Sequence, residues 1–328
     1  MPYTRREIGR LALTALPAAA LLERPFAALA QPRKPNSVVD GVHIGTITYS
    51  YRAMPDQSAE AVLRYVVESG ISEIELMGNV AESFAGAPQS GRGGGGGGRG
   101  RRGDPPTPEQ QAAQREAADR LKQWRTSVSM DRFRALRKMY NDAGVKIYAW
   151  KQLSPNMSDG EMDYVFNVAE ALGCTHTTLE LPTDAAALKR IGAFAEKHKI
   201  YAAYHSHTQG SLTAFDEAFA ASKWNLSNVD LGHYVAGTGE SPIPFLRKFH
   251  DRIASVHLKD RQTPAHGAGN LPWGTGDTPI KDILQLMKKE KYTFPAAIEF
   301  EYDAPPGSDA VKEVAKCLTF CRAALAST

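Results

Sequence analysis

Acidic and imidazole side chains recur near the ends of five successive apolar segments in the second half of the chain. A polar group inside a buried strand costs free energy unless it has a partner or a function. A single such residue is more often a structural group, but structural use would not repeat one position five times. The residues are Glu180, His205, His207, Asp230, His233, His257, Lys259, Asp260, Glu299 and Glu301. Their repetition indicates one functional site.

The chemistry that these residue types favour is the binding of a divalent metal ion. Asp230, His257 and Glu299 are the firmest predicted ligands, and Glu180 and His205 compete to complete the set. Such a mixed nitrogen and oxygen set suits Mn²⁺, Co²⁺, Zn²⁺, Fe²⁺ or Mg²⁺ and does not choose among them. One divalent ion of undetermined identity is therefore the expected cofactor.

Other members of the set are predicted to act on the substrate or to support the ligands. Acid–base catalysis can use carboxylate, imidazole or amine groups that reach the reacting atoms. Ligands are in turn oriented by hydrogen-bonding neighbours, and aromatic rings near a binding site can stack on a ring of the substrate. The catalytic candidates are Glu180, Glu299, His205, His207 and Lys259. The supporting or substrate-binding candidates are His233, Asp260, Glu301, Trp150 and Trp273.

The elements that must position these residues follow a regular alternation. Short β-branched or aromatic runs alternate with amphipathic stretches that repeat apolar residues every three or four positions, a pattern that predicts parallel strands joined by helices. The runs are His43–Tyr49, Ile71–Met77, Val145–Leu153, Thr175–Leu181, Ile200–His205, Asn228–His233, Ile253–Leu258 and Ala296–Tyr302. Eight such units predict an α/β fold, a single-domain (β/α)8 TIM barrel, with its site at the carboxyl ends of the strands. A doubly wound open sheet is the alternative, but no glycine-rich phosphate turn follows the first run.

The predicted barrel domain, residues 42–325, is preceded by a segment with a different sequence pattern. Residues 1–30 carry the Arg5-Arg6 pair, an alanine- and leucine-rich run and the cleavage pattern Ala28-Leu29-Ala30. This is the pattern of a signal peptide rather than a membrane span, and it resembles the twin-arginine (Tat) export signal. We expect export to the periplasm by the Tat machinery, a linker over residues 31–41 and no membrane span after signal removal.

One insertion interrupts the alternation after the second predicted strand. Gly91–Gly103 is almost pure glycine and arginine, and it predicts a disordered, flexible loop over residues 88–108. Arginine–glycine tracts can bind single-stranded nucleic acid, but this one lacks interleaved aromatic residues. Its position on the strand-end side of the barrel makes a lid over an anionic substrate a hypothesis for its role.

Composition excludes several classes of protein. The chain has 328 residues, 42% of them hydrophobic and 23% charged, which fits one large globular domain. A net charge of +3 gives no general nucleic-acid surface. The three cysteines, Cys174, Cys317 and Cys321, do not make a disulfide framework. From the net charge we therefore expect no nucleic acid as a partner.

Four segments of the chain carry recognisable motifs: Asp230–His233, Val256–Asp260, Gly274–Asp277 and Ile298–Glu301. Together they resemble one known family, the xylose isomerase-like TIM barrels that include sugar phosphate isomerases/epimerases. The resemblance spans roughly residues 40–325. It implies that Asp230, His257 and Glu299 are metal ligands from the sixth, seventh and eighth strands. Epimerases of the family often supply the remaining ligand as Glu from the fifth strand, where this chain has His205 and His207.

The resemblance implies a sugar isomerase or epimerase that removes the proton next to a metal-bound carbonyl and forms an enediolate. It also implies a small carbohydrate as the partner, and a homo-oligomer is compatible with this class. A lyase or dehydratase acting on a keto-sugar or keto-inositol, of the 3-keto-glycoside type, is the alternative on the same metal site. The histidines of the fifth strand leave this choice open. A catalytically silent sugar-binding barrel is a third possibility. Phosphodiester hydrolysis is disfavoured because the second and third strands end without the histidines that a multi-metal cluster needs.

Overall fold

The computed structural model describes residues 34–88 and 107–327. The predicted signal peptide and the Gly91–Gly103 run lie outside the described residues. Within the described part of the chain, no helix combines the length and the apolar character that crossing a membrane requires. The three cysteines are buried and free, so they form no disulfide framework.

Eight parallel strands close into a barrel, which confirms the predicted fold class. Each strand pairs with the next along the chain, and the first strand also pairs with the eighth, so the described sheet has no open edge. Their short runs are buried on both faces, as strands inside a helical layer must be. The strands are β1 Val42–Ile47, β2 Glu73–Met77, β3 Lys146–Lys151, β4 His176–Glu180, β5 Tyr201–His205, β6 Asn225–Asp230, β7 Ile253–Leu258 and β8 Ala296–Ile298.

Helices follow the strands and cover the barrel. Their ends carry local signals: Ser158 and Glu161 form a capping box, and Gly173 ends the same helix with a φ of 76°, a left-handed conformation that favours glycine. The helices are α1 Ala59–Glu68, α2 Gly78–Ala85, α3 Pro108–Ser127, α4 Asp131–Asp142, α5 Asp159–Leu172, α6 Ala185–His198, α7 Asp216–Ala221, α8 Leu231–Thr238, α9 Ile243–Phe249, α10 Ile280–Glu290 and α11 Ala310–Ala326.

Two predicted strand ends extend three or more residues beyond the observed strands, and side chains explain both. Leu231–His233 begin helix α8 instead of ending β6, because the Asp230 carboxylate accepts a hydrogen bond from the backbone N–H of His233 and caps the helix. Strand β8 stops at Ile298. Beyond Ile298, side chains rather than a neighbouring strand form the hydrogen bonds of the Phe300 backbone. Its N–H donates to the hydroxyl of Ser50, and its carbonyl accepts from the guanidinium of Arg52.

The end of the predicted linker is part of the barrel domain. Val38–Val39 pairs antiparallel with the first residues of β1. Ser37 is fully buried, and its hydroxyl donates to the carbonyl of Ile44 while its backbone N–H donates to Ser72. The domain therefore starts a few residues before the predicted boundary at residue 42.

A cavity of about 900 Å³ lies at the amino-terminal ends of the strands, opposite the carboxyl ends that carry the predicted site residues. His176 lines this cavity together with Tyr148 and His43. The His176 ring is buried, and its Nε2 lies 3.0 Å from the hydroxyl of Ser255. Active sites of such barrels lie at the carboxyl-terminal face, so the cavity is not the place of the predicted chemistry.

The buried His176 makes the stability of the metal-free protein depend on pH. Burial lowers its pKa from 6.5 to about 4, so on acidification the unfolded chain takes up this proton first. Its contribution to the free energy of unfolding is complete above pH 6.5 and is lost as the pH falls towards about 4. In His176→Gln, whose amide can still donate to Ser255, we expect that loss to shrink by up to about 3 kcal/mol. Denaturant unfolding of both proteins between pH 7 and pH 4 measures it, and equal slopes would contradict the assignment.

Candidate metal centre

Four of the predicted residues meet at the carboxyl-terminal mouth of the barrel. His205, Asp230, His257 and Glu299 stand at or next to the ends of β5 to β8, and each offers a ligand atom within 4.8 Å of the others. The strand register explains the meeting, since Asp230 pairs directly with His257. All four residues are buried, with at most 6% of their surface exposed.

These four residues fit a divalent cation. The Nδ1 atom of His205 is buried and has no hydrogen-bond partner among the described residues. Burial lowers the pKa of His205 well below its ordinary value, so the ring is neutral and keeps a lone pair for a metal. Two carboxylates and two imidazoles form a donor set that zinc, manganese, iron and cobalt accept.

Lys259 brings a fixed positive charge to the same place. Its buried ammonium lies 2.9 Å from Asp230, 3.0 Å from Glu299 and 2.6 Å from Glu301. Burial alone would lower the pKa of Lys259, but the three carboxylates raise it above its ordinary value. The predicted catalytic Lys259 is therefore a charged hydrogen-bond donor rather than a base.

Glu180, the competitor of His205, lies at the rim and outside the buried set. Its carboxylate is 2.8 Å from the ammonium of Lys151 and 3.7 Å from Nδ1 of His207. The side chains of Glu180 and His207 are 53% and 54% exposed, and both come within 4.8 Å of His205. The structure thus places His205 with Asp230, His257 and Glu299, and places Glu180 where a substrate entering from solvent would meet it.

His233 and Glu301 line the mouth beside Lys259, as predicted supporting residues would. The Nε2 atom of His233 is 4.0 Å from the Glu301 carboxylate, and Arg261 donates a hydrogen bond to its Nδ1. The rings of His233 and His207 are 4.9 Å apart between centroids. These contacts join the two sides of the mouth.

Three predicted supporting residues make contacts outside the ligand set. The predictions for Trp150 and Asp260 are corrected, and the substrate-binding role of Trp273 stays a prediction. Trp150 faces the helical layer, where its indole donates to the carbonyl of Val165, because successive strand residues point to opposite faces. Trp273 packs edge-on against Phe320 of α11. Asp260 turns into the loop before β8, where its carboxylate accepts hydrogen bonds from four backbone N–H groups, those of Gly274, Thr275, Gly276 and Thr278.

The structure adds one residue that the sequence reasoning missed. Glu75 in the middle of β2 is fully buried, and its carboxylate lies 2.8 Å from Nε2 of His257. Burial would raise the pKa of Glu75, but the charge of His257 and its hydrogen bond lower it to about 2. The sequence signal for Glu75 is an acidic residue inside the apolar run Ile71–Met77, in mid-strand rather than at a strand end like the predicted ligands.

Comparison with known proteins agrees with the barrel fold. Residues 161–321 match the model of a family described as xylose isomerase-like TIM barrels. This is the family to which the sequence motifs pointed. The matched part contains Glu180, His207 and all four residues of the buried set, whereas Glu75 lies before it.

Two curated relatives are both named inosose dehydratase. The one from Clostridium beijerinckii is 28% identical over 174 residues, which are 49% of this chain and 48% of that protein. The one from Clostridium tetani is 27% identical over 137 residues, 35% of this chain and 45% of that protein. The chain thus matches about half the length of these relatives.

Solved structures of other proteins share the barrel fold. A sugar phosphate isomerase/epimerase from Parabacteroides distasonis superposes with a TM-score of 0.58 at 15% identity, over 88% of this chain and 98% of that chain. The IolI protein with a bound zinc atom superposes with a TM-score of 0.57 at 13% identity, over 88% of this chain and all of that chain. A probable 3-DHS dehydratase from Bacillus anthracis also has a TM-score of 0.57, at 15% identity over 85% of this chain and 99% of that chain.

Proposed function

We propose that this protein is a divalent-metal-dependent enzyme that removes the proton next to the carbonyl group of a keto-sugar or keto-polyol. The observation that carries the proposal is the buried set of His205, Asp230, His257 and Glu299 at the barrel mouth. A divalent cation held by these residues would act as a Lewis acid and stabilise the negative charge that develops on the substrate oxygen. The zinc-bound IolI neighbour and the neighbouring isomerase/epimerase support the proposal.

Glu180 is the carboxylate best placed to take the proton. Its half-exposed side chain stands at the rim beside His205, where a substrate enters. Glu299 is less available, because one of its oxygens is 2.7 Å from His257 and 3.0 Å from Lys259. The ammonium of Lys259 is a donor that can stabilise negative charge on the substrate.

Loss of a β-hydroxyl, a dehydration, is the outcome that we propose for the resulting carbanion. The fifth strand offers the neutral His205 where epimerases of the family that the chain resembles often supply Glu. Of the two carboxylates that would face each other across the metal, only Glu299 is retained in the buried set of described residues. Lys151 and His207 flank Glu180 and can give a proton to a leaving hydroxyl. In this step the base takes the α-proton, the electron pair forms the new double bond, and the β-carbon–oxygen bond breaks to release water. The two relatives named inosose dehydratase support this outcome.

Reprotonation, which would make the protein an isomerase or epimerase, is the second candidate. The observation that favours it is the presence of ionisable groups on both sides of the mouth, with His233 and Glu301 opposite Glu180 and His207.

Periplasmic delivery, proposed from the first thirty residues, would favour free or oxidised sugars over sugar phosphates as substrates.

A product assay separates the two outcomes. The metal-free protein is loaded with Mn²⁺ or Co²⁺ and incubated in D₂O with a panel of ketoses, keto-inositols and 3-keto-glycosides. We expect at least one keto-polyol or keto-glycoside to yield an enone, seen by ultraviolet absorbance and NMR, and EDTA to prevent it. An isomeric sugar carrying deuterium would favour the second candidate, and absence of both deuterium exchange and product across the panel would contradict the proposed enzyme.

A further inference from the structure

A continuous chain of polar side chains crosses the interior of the barrel. It runs from His176, which lines the amino-terminal cavity, through Ser255, Asn228 and Glu75 to His257 at the proposed metal centre. Each of these residues is at most 1% exposed. The interior of such barrels is usually filled by branched apolar side chains, so five linked polar groups require a reason.

The hydrogen bonds at Glu75 have only one consistent direction. Its carboxylate contacts the hydroxyl of Thr178 at 2.5 Å, the amide nitrogen of Asn228 at 3.2 Å and Nε2 of His257 at 2.8 Å. An ionised carboxylate accepts and never donates. The Nε2 atom of His257 must therefore carry a hydrogen, and Nδ1 is the ring nitrogen that can hold a cation.

The rest of the chain fixes the orientation of Asn228. The hydroxyl of Ser255 donates to the amide oxygen of Asn228 at 3.0 Å, which leaves the amide nitrogen facing Glu75. Because Ser255 has one hydrogen and uses it there, it accepts from Nε2 of His176. All donors then point towards Glu75, and turning any amide or ring would break a bond.

We propose that Glu75 is a positioning residue that holds His257 with Nδ1 directed into the metal centre. In the structure Nδ1 is 2.7 Å from Glu299 and 4.0 Å from Asp230, two of the other proposed ligands. A carboxylate that accepts the second N–H of a ligating histidine fixes the ring and makes the other nitrogen a stronger donor to the metal. The proposal rests on the proposed metal site. It concerns a residue on β2, outside the four ligands.

Glu75→Gln tests the proposal against the matched change Glu73→Gln. Both residues lie on β2 and both changes remove one carboxylate charge, but Glu73 lies at the cavity end and pairs with His43 at 2.9 Å. We expect Glu75→Gln to weaken the binding of Zn²⁺, measured by competition with a chelator, by about 10-fold or more. Glu73→Gln should stay within about twofold of the wild type, because the effect of such partners is local.

A second measurement, on the wild type alone, needs no variant to fold. In the ¹⁵N-labelled, Zn²⁺-loaded protein, the nitrogen shifts of His257 should show Nδ1 bound to zinc and Nε2 carrying a hydrogen. Coordination through Nε2, or equal zinc affinity of the wild type and Glu75→Gln, would overturn the role of Glu75. A wild type that binds no zinc would instead contradict the proposed metal site itself.

Discussion

Asp230→Asn is expected to abolish tight metal binding and to lower turnover by about a thousandfold. The fully buried Asp230 carboxylate would supply one of the anionic ligands, and the metal contributes several kcal/mol of charge stabilisation, each 1.4 kcal/mol being about tenfold in rate. Asparagine keeps an oxygen that can accept from the N–H of His233, so the start of α8 is preserved. Metal content by elemental analysis and turnover on an active substrate of the panel measure the effect.

Asp184→Asn is the matched control for this change. Asp184 also caps a helix, α6, by accepting hydrogen bonds from the backbone N–H groups of Ala186 and Ala187. It belongs neither to the buried set of four nor to the rim group of Glu180, His205 and His207. We expect the control to keep the metal content and turnover of the wild type. A full metal complement in Asp230→Asn would show that this carboxylate is not a ligand.

Glu180→Gln is expected to lower kcat by about 10²–10⁴-fold, the usual contribution of a general base. Metal content should not change, because Glu180 lies outside the buried set of four. The free energy of unfolding should change by less than about 1 kcal/mol. The variant loses the ion pair between Glu180 and Lys151, but the Glu180 side chain in that pair is half exposed. Steady-state kinetics, elemental analysis and thermal unfolding of the same preparation check the three expectations.

Glu301→Gln distinguishes the two sides of the mouth. Glu301, which contacts Lys259, is also a partly exposed carboxylate at the mouth, with 21% of its side chain accessible. We expect this variant to lose less activity than Glu180→Gln, because its carboxylate is held by the Lys259 ammonium at 2.6 Å. A larger loss in Glu301→Gln would place the base on the β7–β8 side instead.

The alternation of apolar strands and amphipathic helices predicted the barrel, and polar residues at strand ends predicted the place of the site. Asp230, His257 and Glu299 could be singled out because consecutive parallel strands bring their carboxyl ends to one mouth. The choice between Glu180 and His205 could not be made. The two residues pair across β4 and β5, and only the three-dimensional structure shows that Glu180 turns out to Lys151 while His205 turns in.

The hydrogen-bond partners of individual acidic residues were harder to predict from the sequence than the position of the site. Glu75 lies in mid-strand, and its partners Asn228 and His257 are more than 150 positions away in the chain. Asp260 carries an acidic group at a strand end, like a ligand, but the folding of the following loop supplies it with four backbone donors. These hydrogen-bond partners depend on the conformation of loops and on the register between strands. Neither can be read from the residues next to Glu75 or Asp260 in the sequence.

The most direct test of the metal centre is anomalous diffraction from crystals of the protein loaded with Zn²⁺ or Mn²⁺. We expect one strong peak at the barrel mouth, about 2.0–2.2 Å from a nitrogen or oxygen of His205, Asp230, His257 and Glu299. A peak held instead by Glu180, His205 and His207, or no peak at the mouth, would contradict the buried site and the enzyme proposed from it.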